Sequence, residues 1–169
     1  MGIPLGRFLR IIGAALALAL LAAGPAAAVA ADPGPLRILN DPGGEIGVRL
    51  RQVAHLRAQG RAVRIEGTCH SACTLYLGLE GACVTPAARL GFHGPRAAPR
   101  AVRAQATRGG QAGALGLSRA EADYWTGVMA AHYPEPLRSW FLIRMAEDPA
   151  PLRVLRGSQL IAAGLPACD

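Results

Sequence analysis

A serine, a histidine and a pair of glycines are the residues of this chain whose types and settings could do chemistry together. Ser71 follows a β-branched run, Val63 to Ile65, that stops at Gly67, and it opens a short apolar segment of helical character reaching about Leu79. A serine at a strand-to-helix turn keeps its hydroxyl free, and the first N–H groups of the helix point at whatever binds there. His93 stands between Phe92 and Gly94-Pro95, on a later loop from which an imidazole could take the hydroxyl proton. Asn40-Asp41-Pro42-Gly43-Gly44 is a dense turn signal. Singly, each feature is ordinary. Serine is a preferred N-cap, His55, His70 and His132 are also present, and Gly-Gly is a common turn. Jointly they offer nucleophilic attack by an activated hydroxyl. A Ser–Lys pair is excluded, because the sequence contains no lysine.

The elements needed to position these residues can be read from periodicity. Leu36 to Leu39 predicts a first strand, ended by the glycine turn. A helix follows from about Glu45 to Ala58, with Ile46, Leu50, Val53 and Leu56 on one face and Gly60 as its stop. Ala62 to Glu66 is a second strand, Ser71 to about Leu79 a second helix, and Ala82 to Val84 a third strand. Strand and helix alternating at these lengths predict βαβ units in a parallel sheet flanked by helices. In such sheets ligands sit beyond the carboxyl ends of the strands. The glycine turn, Ser71 and His93 all follow strands, so they belong to one edge.

Farther on, Arg96, Arg100, Arg103 and Arg108 lie scattered among small residues from Pro95 to Gly113, which reads as a solvated loop, ahead of a flap or an oligomer contact. Ser118 and Glu121 form a capping box opening a helix to about His132. Another helix runs from Pro136 to Glu147, and a last short one from Ser158 to Ala163, closed by Gly164.

Composition sets the compartment. Arg7 and Arg10, the apolar run Ile11 to Ala23 and Ala28-Val29-Ala30 form a signal peptide over residues 1–30, leaving 31–169 as a single domain. The apolar run is short of the ~20 residues of a membrane span. We therefore expect an exported, periplasmic protein that meets the membrane only through this segment; the alternative is an inner-membrane anchor left uncleaved. The net charge is +7, carried by arginine alone. Export and sparse aromatic residues argue against nucleic acid as the partner. The four cysteines, Cys69, Cys73, Cys83 and Cys168, fall in the exported part and predict disulfides with three possible connectivities. A bridge from Cys69 or Cys73 to Cys83 would close a loop of roughly a dozen residues, worth about 3 kcal/mol. A zinc set of Cys69, Cys73, Cys83 and His93 has suitable ligand types but no standard spacing, so no metal is expected.

In this order the motifs resemble the ClpP/crotonase superfamily, in its serine-protease branch and the small exported proteins related to it. Pro42-Gly43-Gly44 matches a turn whose N–H helps form an oxyanion hole, and Gly67 to Ser71, followed by Ala72, matches the nucleophile turn. Pro86-Ala87-Ala88-Arg89-Leu90-Gly91-Phe92-His93-Gly94-Pro95 matches the strand that ends in the general base. The resemblance covers residues 36–95, and more faintly 152–165. It implies a ClpP/crotonase-like α/β fold and a hydrolase of peptide or other acyl bonds, without cofactor, capable of homo-oligomer assembly. It assigns Ser71 as nucleophile, His93 as base, and the N–H groups of Gly43 or Gly44 and of Ala72 as oxyanion donors. The family's acidic third member falls on Leu152-Arg153-Val154-Leu155-Arg156, where arginine replaces a carboxylate. Asp148 is the nearest substitute, with Glu147 and Asp123 next. Loss of the orienting acid costs about 10⁴ in rate in a full triad. That departure motivates a second expectation, a non-catalytic binding or assembly module on the same fold. A crotonase-type thioester enzyme is a third, disfavoured because an exported protein seldom meets coenzyme A.

Overall fold

β1 (Leu36–Asp41), α1 (Ile46–Ala58) and β2 (Val63–His70) form the first βαβ unit of a computed structural model that describes residues 34–97 and 116–169. Residues 1–30, read as a signal peptide, and most of the 95–113 stretch lie outside the described residues. A 3₁₀ segment, Ser71–Gly78, follows β2 without a break. It leads to β3 (Cys83–Val84) and β4 (Arg89–Phe92). The second half holds α2 (Arg119–Ala130), α3 (Leu137–Glu147), β5 (Arg153–Arg156) and α4 (Gly157–Ala162). The described residues fall within one compact unit. Among the described residues, no helix is long and apolar enough to cross a membrane.

The sheet runs β1-β2-β4-β5, with β3 also paired to β2. β1, β3 and β4 are all parallel to β2, as the βαβ reading requires. β5 corrects the expectation of a purely parallel sheet. It pairs antiparallel with β4, from Arg89 opposite Arg156 to Phe92 opposite Arg153. The segment read as the place of a missing acid is thus a strand that covers an open edge of the sheet.

Gly67 also reads differently. It does not stop the second strand, which continues to His70. A Cβ on Gly67 would lie 2.0 Å from the carbonyl oxygen of Leu39, beside the register shift between Ile38 and Asn40 in β1. The missing side chain allows the two backbones to approach where the ladder slips. Strand two therefore delivers Ser71 directly at its carboxyl end.

The core lies where the apolar strand positions meet the helices. Val63, Ile65, Leu75, Val84, Leu90, Phe92, Tyr133 and Phe141 are buried there. Phe92 packs edge-on against Tyr133 and Trp140, and Tyr133 against Phe141, the geometry that aromatic quadrupoles favour. The Tyr133 hydroxyl shares a 2.7 Å hydrogen bond with Thr74, so its polar end is satisfied inside the core. α1 buries Val53 and Leu56, with Ile46 and Leu50 packed at the margin. It also buries Arg49, which its apolar pattern does not announce.

Candidate active site

The turn after β1 and the junction after β2 meet because one of their residues lacks a side chain. A Cβ on Gly43 would lie 2.6 Å from both the Ser71 Cβ and the His70 carbonyl oxygen, and 3.1 Å from the Ala72 nitrogen. Gly43 and Gly44 also hold φ angles of +101° and +138°, which L side chains rarely adopt. Contact and conformation both require glycine at position 43.

That turn is braced from α1. The Asp41 carboxylate accepts the Gly43 N–H at 2.8 Å and pairs with the Arg49 guanidinium at 2.7 Å. Arg49 also donates to the Tyr76 hydroxyl at 2.5 Å and the Gly43 carbonyl at 3.4 Å, and it lies 4.6 Å over the Tyr76 ring. Neither Arg49 nor Asp41 was singled out from the sequence. The one available signal was an arginine beside the apolar face of α1, one turn after an Asp-Pro-Gly-Gly run.

Ser71 is the one residue other than glycine with positive φ among the described residues, at +56°. Its carbonyl accepts the Thr74 hydroxyl at 2.7 Å, which ties down the first turn of the 3₁₀ segment. The N–H of Ala72, in that first turn, has no acceptor among the described residues, and neither has the N–H of Gly44. Gly43 differs: its N–H is taken by Asp41. Of the expected oxyanion donors, Gly44 and Ala72 are free to serve and Gly43 is not.

Ser71 and His93 line the same cavity, of about 530 Å³. Gly44 lines it too, and Ile46, Leu117, Trp125 and Met129 give it an apolar wall. Neither the Ser71 hydroxyl nor His93 Nε2 has a hydrogen-bond partner among the described residues. The three features read from the sequence therefore converge on one hollow.

His93 carries its own orienting contact. Its Nδ1 donates to the Gly94 carbonyl at 2.6 Å, which in the neutral ring leaves Nε2 as the acceptor. Gly94 is fixed in turn: its N–H donates to the Pro149 carbonyl at 2.8 Å, and a Cβ there would lie 2.5 Å from the Pro149 Cβ. Burial pushes the His93 pKa below its ordinary value; the Gly94 hydrogen bond opposes this, and the nearby positive charge of Arg96 and His70 adds to it. Asp148 does not supply the contact. Its carboxylate accepts the Ala150 N–H at 3.0 Å, at the end of α3. Glu147 pairs with Arg144, and Asp123 with Arg119.

The cysteines pair as Cys69–Cys73 and Cys83–Cys168. Of the three open connectivities this is the one without a bridge from Cys69 or Cys73 to Cys83, which pairs from β3 with the C-terminal tail instead. Oxidation of all four removes the thiolates that the zinc alternative would need. Two disulfides fit an oxidising compartment outside the cytoplasm. No family model matches the chain, and no curated protein matches it.

Proposed function

We propose that the chain is an exported serine hydrolase of the ClpP/crotonase type, acting on peptide or other acyl bonds. The observation that carries this reading is the shared cavity of Ser71, His93 and Gly44, from three separate segments. Ser71 gives its proton to His93 Nε2 and attacks the substrate carbonyl. The N–H groups of Gly44 and Ala72 receive the developing oxyanion, each such donor being worth about 10²–10³ in rate. His93 then passes the proton to the leaving group, and water repeats the sequence to release the acyl half. The Gly94 carbonyl stands in for the carboxylate that no described residue supplies: it keeps the proton on Nδ1 but contributes no negative charge to the imidazolium. The apolar wall of Ile46, Trp125 and Met129 suits an apolar group beside the scissile bond. An unbonded Ser71 and His93 are compatible with this role, since catalytic hydrogen bonds commonly tighten only when substrate is bound.

A fluorophosphonate that reacts with activated serines should label the chain once. Ser71→Ala should abolish labelling, and His93→Ala should slow it by at least about 10²-fold. Equal labelling of Ser71→Ala would end this reading. That no carboxylate among the described residues bonds to His93 favours the second reading, a binding module. Biological activity surviving a Ser71→Ala/His93→Ala double variant would select it.

A further inference from the structure

The Cys69–Cys73 bridge encloses Ser71 at the centre of a five-residue span, Cys-His-Ser-Ala-Cys. Cys69 lies in β2 and Cys73 in the 3₁₀ segment, so the bridge spans the bend between them. A strand continuing through Ser71 would carry Cys73 about 13 Å from Cys69. A disulfide admits Cα separations of only about 4.4–6.8 Å. The observed separation is 5.3 Å, so the closed bridge forbids the extended alternative and obliges the chain to turn within these residues. The turn falls on Ser71, whose left-handed conformation is unfavourable for a residue with a Cβ and persists only where its surroundings over-determine it.

We propose that Cys69 and Cys73 are a positioning pair for Ser71, and that the site is completed only when an oxidant has closed their disulfide. The catalytic half of this inference rests on Ser71 being the nucleophile. Closure is a balanced exchange: the two thiols give up two protons and two electrons as the S–S bond forms. A disulfide-bearing oxidant takes them up and becomes a dithiol. Both cysteines are fully buried in the fold. The bridge therefore closes before folding is complete, and external thiols cannot reach it afterwards. Oxidation is a one-way step of maturation here rather than a reversible switch. A chain still in a reducing compartment carries Ser71 without its clamp, and hydrolysis waits for export.

The test compares the full chain with Cys69→Ala/Cys73→Ala and Cys83→Ala/Cys168→Ala, by two readouts. The first is the rate of fluorophosphonate labelling, measured well below each melting temperature. Opening the 69–73 bridge should slow labelling by about 10²-fold, the penalty of a misplacement of about 1 Å. Opening the 83–168 bridge should leave the rate unchanged. The second readout is amide hydrogen exchange, which does not depend on catalysis. Without the first bridge, amides of the 3₁₀ segment should exchange faster, while those of β1 and β2 keep their protection.

A folded 69–73 variant with wild-type labelling and wild-type exchange overturns the inference. If the wild-type chain is not labelled, the hydrolase reading fails, and exchange alone then decides whether the bridge positions Ser71. Should the alanine variant not fold, the Cys83→Ala/Cys168→Ala chain is reduced while unfolded and refolded under excess dithiothreitol, then compared with its oxidised form. If neither open form folds, the bridge is a requirement of the whole fold and the positioning role is overturned.

Discussion

At the scale of single residues, the question is what orients His93 when no carboxylate among the described residues bonds to it. A carboxylate partner raises a histidine pKa, whereas a carbonyl does so far less, and burial lowers it. Burial dominates at His93, with the Arg96 and His70 charges on the same side of the balance. The imidazole must be neutral to accept the Ser71 proton, so a lowered pKa extends activity toward acid. The fluorophosphonate labelling rate should therefore rise with pH through a midpoint below the ordinary 6.5. Asp148→Asn should leave both rate and midpoint unchanged, because the amide oxygen can still accept the Ala150 N–H. A midpoint above 6.5, or one moved by Asp148→Asn, would point to a carboxylate acting on the ring. The sequence disclosed the serine, the histidine and the glycine turn, since residue type and position after a strand are local properties. It could not disclose that Gly94 supplies the orienting oxygen or that Asp41 occupies the Gly43 N–H. Backbone groups carry no sequence signature, and both contacts depend on how loops close.

At the scale of elements, the site depends on β1 and α1 being locked together across the glycine turn. The Arg49 and Asp41 side chains are 9% and 18% exposed, so each charge is largely withdrawn from water. Removing one member of such a pair leaves the other buried and unpaired, at a cost of about 3–5 kcal/mol, whereas replacing both with neutral groups costs far less. Arg49→Met should therefore destabilise the chain by that order in urea melts. Adding Asp41→Asn should recover part of the loss, because the amide oxygen still accepts from Gly43. A double variant no more stable than the single one would show that the pair does not brace the turn. The same elements show where periodicity serves and where it fails. The capping box of Ser118 and Glu121 forms as read, with the Ser118 hydroxyl accepting the Glu121 N–H at 3.3 Å. Gly67 was misread because a glycine at a close backbone approach and a glycine at a strand end look alike in sequence. β5 was missed because two apolar residues between two arginines show no strand period and become a strand only when β4 offers them an edge.

At the scale of the whole molecule, the two disulfides do different work, and loop length separates them. Cys69–Cys73 has a sequence separation of 4, Cys83–Cys168 one of 85. In the chain-entropy model the short loop contributes about 2 kcal/mol and the long one about 4–5 kcal/mol. The long bridge also holds an added strand-like pairing. Val84 donates to the Pro166 carbonyl and Cys168 to the Val84 carbonyl, each at 3.0 Å, and Arg64 reaches the Asp169 carbonyl at 2.5 Å. Cutting it frees the tail that follows α4 and exposes the flank of β3. Cys83→Ala/Cys168→Ala should therefore lower the melting temperature by about 10–20 °C, and Cys69→Ala/Cys73→Ala by roughly half as much. Reactivity should fall in the opposite order, because the short loop constrains Ser71 and the long loop constrains the segment after α4. Calorimetry and labelling on the same two variants measure both orders. If one variant lost both more stability and more reactivity, the division of labour would collapse into a single role, and Ser71 would owe its geometry to the fold at large.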